Sequence, residues 1–200
     1  MVSKEQALKN YITLNMFLIK SYDELKDKIY STPCLNYKDG CFFDEKEPFK
    51  IILQWNMFYR KNIYFFYKNK IKNDIDIINS FIKKNKIDIN IFEKDLDFLR
   101  NKCEEYFLLH ENIVFVEDYS KLNIKETVYE TLDIFNDFKN INYQVKQLVN
   151  KLDFDFKKRF YQFKIFKNLS ENVIYNHPDI YFSTKIKTSI RNFIFDLVEE

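Results

Sequence analysis

Two short segments concentrate side chains that could grip a polyanion. Lys157, Lys158, Arg159, Lys164 and Lys167 lie in a run without a single carboxylate, with Tyr161 among them. Lys50, Arg60, Lys61, Lys68, Lys70 and Lys72 form a second basic run that also carries Tyr59, Tyr64 and Tyr67. If the two runs converge on one face with those tyrosines exposed, the cations contact phosphates while the rings stack on unpaired bases. The same surface would serve to hold an acidic protein. The competing reading is internal neutralisation, because the stretch from Asp88 to Asp137 holds an excess of acids and its helices could pack beside the basic ones.

Other chemistry is largely excluded. Loops that cradle phosphates need several glycines so that backbone amides approach the anion, and Gly40 is the sole glycine. His110-Glu111 lacks the second histidine one turn on that a zinc protease needs, and no Glu-x-x-His spacing supports a di-iron bundle. Arg100 and His110 are spaced too widely for the Arg-x4-6-His signature of the all-helical HEPN ribonucleases. Cys34 and Cys41 flank Asp39-Gly40, but a zinc site takes about four ligands and no CxxC or nearby histidine completes one. Cys103 sits on an apolar stripe and reads as core. No metal, cofactor or catalytic residue is assigned; an enzyme would have to assemble its site from distant residues, with His177, His110 and Cys34 the first to inspect.

The elements that position these groups are helices. One glycine and three prolines supply too few turn-makers for a protein of many short strands. The 18% aromatic content travels with Lys, Asn and Ile, residues that share AT-rich codons, so it need not mark a stacking surface. Net charge is +2, which makes any nucleic-acid surface local. The longest uncharged run near the N-terminus, Asn10 to Ile19, is about half of what a membrane span needs. Glu5 and Gln6 break the order of a secretory signal, so the expectation is a cytoplasmic protein with reduced thiols and no membrane contact.

Taken in order, Ser3-x-x-Gln6 starts a first helix that runs to about Tyr30 and stops at Thr32-Pro33. A short β-hairpin or ordered loop is expected near residues 34–43. Pro48 opens a helix to about Lys72, an alternating hairpin being the alternative, and Asn73 with Asp74 and Asp76 starts another helix to about Lys84. Asn90-x-x-Glu93 opens an amphipathic helix through Phe92, Leu96, Leu99, Cys103, Tyr106 and His110. Ile113 to Val116 reads as a connector or lone strand, and Asn123-x-x-Glu126 starts a helix to about Lys139. From Asn142 to Leu169 the apolar positions Val145, Leu148, Val149, Leu152, Phe156, Phe160 and Phe163 predict one long helix. Thr184 caps a last helix. The sequence therefore predicts an all-α, single-domain bundle of about six to eight helices over 1–200. The expected function is non-catalytic binding of a protein or protein-RNA assembly, of accessory, immunity or inhibitor type; direct binding of RNA or DNA is the alternative.

Overall fold

The structure, a computed structural model, describes residues 2–33, 48–109, 121–160 and 184–199. These residues form α1 (Lys4–Ser31), α2 (Pro48–Phe65), a π-helical turn (Phe66–Ile71) and α3 (Lys72–Asn85), then a 3-10 turn (Ile89–Ile91) and α4 (Glu93–Leu109). They continue with α5 (Ile124–Asn150), α6 (Phe154–Phe160) and α7 (Thr184–Glu199). The described residues contain no strand, so the fold is all-α. The hairpin expected near 34–43 and the run from Ile113 to Val116 lie outside the described residues.

α1 is the axis of the bundle and packs against α2, α3, α4 and α5. Leu8, Tyr11, Leu14, Leu18, Ile19, Tyr22 and Ile29 are almost wholly buried, and they occupy more than one face of the helix, as a central element requires. Its N-terminus uses half of the expected capping box. Ser3 Oγ accepts from the Gln6 amide at 3.1 Å, while the Gln6 side chain donates forward to Asn10 Oδ1 instead of back to the cap.

The break expected at Asn73 does not occur. Helical backbone runs without interruption from Pro48 to Asn85, and the π turn at Phe66–Ile71 sits where the sequence changes from one apolar phase to another. A residue inserted into a helical turn rotates everything after it by about 100°. The core stripe of α2 (Ile52, Leu53, Tyr59, Ile63) and that of α3 (Ile78, Ile82) thereby face the same interior. The rod ends without glycine: Lys86 takes the left-handed conformation, φ 54°, and its amide donates to the carbonyls of Ile82 and Lys83.

The second departure is at 151–153. The helix expected from Asn142 to Leu169 is divided there, because α5 continues through Asn140 to Asn142 and ends at Asn150, and α6 then begins under its own cap, Asp153 Oδ1 accepting from the Phe156 amide at 2.9 Å. Val145, Val149, Leu152, Phe156 and Phe160 are all buried as the stripe predicts, since the turn preserves the facing of the stripe while reversing the path of the chain.

Most described aromatic rings serve packing. Tyr67 stacks on Tyr106 at 4.5 Å between centroids, Tyr59 on Phe138 at 5.0 Å, and Tyr22 meets Phe66 edge-on at 4.7 Å. No helix among the described residues is long and apolar enough to cross a membrane.

The left-handed Lys86 yields a direct test. Replacing it by glycine removes the Cβ conflict, so Lys86→Gly is expected to raise stability by about 0.5 to 1 kcal/mol in urea melts.

Candidate functional site

The structure separates the two basic segments into interior and surface groups. Arg60 and Lys70, expected on a binding face, are 2% and 0% exposed. They are corrected to core residues, and the reason is that each finds enough internal acceptors to leave water. Lys68 is exposed and lies over the Tyr64 ring, to whose hydroxyl it donates. On α6, Lys157 is half-buried, whereas Lys158 and Arg159 are exposed and form no ion pair among the described residues. The side chain of Lys61, together with Tyr161, Lys164 and Lys167, lies outside the described residues. Tyr59 and Tyr67 are buried and Tyr64 half-buried, so the expected row of exposed stacking rings is not formed by these three. The two segments do meet, but in the interior, where the Lys70 ammonium lies 5.2 Å from the centre of the Phe160 ring.

Around Lys70 the core holds a closed polar cluster. Lys70 pairs with Asp74 one turn later, and Tyr11 of α1 donates to the other carboxylate oxygen at 2.6 Å. The Tyr11 ring also borders the ammonium, its centroid 5.6 Å away, and Tyr11 in turn stacks on Phe156 at 4.5 Å. Burial pulls the Lys70 ammonium below the usual lysine range, and Asp74 opposes that pull. Burial first, and then the Asp74 charge, push the Tyr11 hydroxyl far above its ordinary range. A lysine depressed by burial beside a carboxylate has the chemistry of an amine catalyst. Here Lys70 and Asp74 have side-chain exposures of 0% and 1%, so no substrate reaches them and the cluster acts as a clamp between α1, α3 and α6.

Arg60 forms a second clamp. Its Nε donates to the Ile29 carbonyl at 3.1 Å, and Nη2 donates to the carbonyls of Tyr30 at 3.0 Å and Thr32 at 2.7 Å. The last carbonyls of a helix have no partner within it and carry its negative end, so a guanidinium is matched to them in both charge and shape. Asn56 assists by bonding the Pro33 carbonyl and the Thr131 hydroxyl of α5.

No other described group forms a reactive site. Burial pushes the Cys103 thiol up to about 12, which keeps it protonated and inert. No cluster of His, Cys, Asp or Glu among the described residues could hold a metal. His110, His177, Cys34 and Cys41 lie outside the described residues. Between helices, ion pairs join Lys28 of α1, which belongs to neither basic run, to Asp133 and Asp137 of α5, at 2.7 and 3.0 Å. Lys102 of α4 likewise reaches Asp23 of α1 at 3.2 Å.

The outward face of α5 lies outside both basic segments. Tyr129, Asn136, Asn140, Tyr143 and Gln147 fall along one line of that helix, and all are exposed. Its one charged member is Asp133, between Tyr129 and Asn136, which pairs with Lys28 of α1, although 31% of the chain is charged. The signal that could have found it is the complement of the core stripe, read on the far side of the same helix.

Two tests follow from the interior. Asp74→Ala strands the Lys70 ammonium and is expected to cost about 3 to 5 kcal/mol in urea melts, most of it recovered when Lys70→Met is added. Alkali gives the second. Burial is the leading cause that raises the hydroxyls of Tyr11, Tyr22, Tyr30, Tyr59, Tyr67 and Tyr106 above the ordinary tyrosine range. Above pH of about 10 the unfolded chain releases protons that the folded chain keeps, so each fully buried tyrosine removes about 1.4 kcal/mol of stability per pH unit and the half-buried Tyr30 less. Lys70 acts in the opposite direction, since its burial penalty fades as pH rises through the unfolded lysine range, but it is one group against six. Denaturation followed from pH 7 to pH 11 (roughly one unit past the free tyrosine value) should show a steep loss confined to the alkaline end. In comparison with known proteins, the chain matches no family model, no curated protein and no solved structure.

Proposed function

We propose that the chain is a non-catalytic helical interaction protein, of accessory, immunity or inhibitor type, which docks a protein or protein-RNA assembly on the outward face of α5 in the cytoplasm. The observation that supports this reading is the line from Tyr129 to Gln147, whose one charge, Asp133, is paired with Lys28. It extends about 27 Å, the rise of five helical turns. Tyr129 is 44% exposed and Tyr143 67% exposed, each a rigid ring that contributes apolar area and a hydroxyl at small entropic cost. The amides of Asn136, Asn140 and Gln147 donate and accept, which lets the line adapt to a partner's backbone.

The alternative is direct nucleic-acid binding through α6. Lys157, Lys158 and Arg159 support it, but Asp153 and Asp155 share the same short helical segment, and a phosphate backbone is repelled by carboxylates at that spacing. A protein surface tolerates such mixed charge.

The test is capture of partners from source-cell lysate, with and without nuclease. Tyr129→Ala with Tyr143→Ala is expected to reduce a nuclease-resistant protein partner tenfold or more, since aromatic anchors carry much of an interface's energy. Replacing Lys157, Lys158 and Arg159 together by alanine should leave that capture within about twofold. The opposite pattern, with nuclease-sensitive capture lost in the basic triple variant alone, would overturn the α5 reading in favour of the α6 one.

A further inference from the structure

A groove of about 530 Å³ opens between the start of α1, one side of α3, and α6. Phe81 and Phe156, with ring centroids 4.9 Å apart, form its floor. Six charges border it: Lys4, Lys84 and Arg159 against Asp76, Asp153 and Asp155. All six are exposed, and none forms an ion pair among the described residues.

Ring contacts fix how these charges face one another. Phe156 meets Phe81 in the later half of α3, whereas Phe160 lies over Lys70, before α3 begins. α6 therefore runs back along α3. Arg159 sits toward the end of the groove that carries Asp76, and Asp155 sits toward the end that carries Lys84. The groove is neutral in sum, with opposite signs facing each other at both ends. Beside it stands Phe154, 79% exposed, the most exposed of the large apolar side chains described.

We infer that this face binds a second copy of the chain about a two-fold axis, Phe154 of each copy entering the groove of the other. An isologous interface pairs one patch with itself, so the patch must hold both the projecting group and the recess that receives it. Phe154 and the Phe81–Phe156 floor satisfy that requirement within one surface. The charge pattern satisfies it as well, because a patch with equal numbers of both signs, alternating across a groove, is complementary to its own rotated image. A patch of one sign repels itself. The residues are distinct from the α5 line, so the two surfaces can be tested independently.

Sedimentation equilibrium of the full chain, over concentrations from about 1 μM to about 1 mM, reads the mass directly. The expected result is a reversible shift from one copy to two. Phe154→Ser should raise the dissociation constant tenfold or more with the circular-dichroism spectrum unchanged, since this ring contributes little to the core. Lys84→Glu alone and Asp155→Lys alone should each weaken association, and the two combined in one chain should restore it, because the swapped pair re-forms across the axis. A monomeric mass at every concentration overturns the inference and leaves the groove to another protein. A dimer indifferent to Phe154→Ser overturns it too, by placing the contact elsewhere. Neither result touches the α5 reading, whose failure shows only in the Tyr129 and Tyr143 variants.

Discussion

The Lys70–Asp74 pair and the tyrosine that completes it hold three helices in one arrangement. Moving two charges out of water costs several kcal/mol per ion, so such a pair persists only where its remaining polar atoms find partners. Tyr11 supplies the hydrogen bond that Asp74 lacks, and the rings of Tyr11 and Phe160 both lie against the ammonium. Each partner comes from a different element: Tyr11 from α1, Asp74 from α3, Phe160 from α6. A shift of α1 by a turn would take away the Tyr11 hydrogen bond to the buried carboxylate, and a shift of α6 would take the Phe160 ring from the ammonium. The cluster therefore contributes more to the uniqueness of the packing than to its net free energy, because apolar side chains of similar volume could fill the same space at equal or lower cost.

The π turn makes that arrangement reachable. Ordinary helical geometry from Pro48 onward would carry the later part of the rod off its core face, and the wider turn at Phe66–Ile71 restores it while directing Lys70 inward. Arg60 acts at the other end of the same stretch, on the carbonyls that close α1. Two cations on one rod thus fasten it to the same central helix, one through a carboxylate and one through a helix terminus. The extra hydrogen-bonding reach of Arg suits the terminus, where several carbonyls point the same way, and the compact ammonium suits the single carboxylate.

Periodicity made much of this fold legible. The stripe of α4 through Phe92, Leu96, Leu99, Cys103 and Tyr106 is buried as its spacing requires, and the caps at Ser3 and Asn123 fall where their side chains predict. Two kinds of information were hidden. Turns without glycine or proline leave no compositional mark: the Lys151–Asp153 break has only Asp153 to announce it, and the apolar stripe continues across it through Leu152 and Phe156. Buried charge is hidden for the opposite reason. Lys and Arg are almost never fully buried unless paired; Asp74 lies only one turn from Lys70, but the rings that cover the ammonium come from Tyr11 and Phe160 and the carbonyls that hold Arg60 from the end of α1, so a linear reading places both cations outside.

Charge bookkeeping then constrains what the surface can bind. The excess over neutrality is only +2, and Lys70 and Arg60 sit in the interior. Lys26, Lys28, Lys102 and Arg100 are matched to carboxylates at 2.7 to 3.2 Å. These exposed and half-exposed pairs add little stability, on the order of 1 kcal/mol or less each, but they cancel the field that would attract a polyanion. Lys158 and Arg159 escape such pairing among the described residues, yet Asp153 and Asp155 lie within about two helical turns of them, a distance comparable to the screening length of about 8 Å at physiological salt. A phosphate chain approaching α6 therefore meets a field of mixed sign that extends barely beyond the side chains. Among the described residues long-range attraction is weak, and the proposed docking on α5 would act through contact, which exposed rings and amides provide.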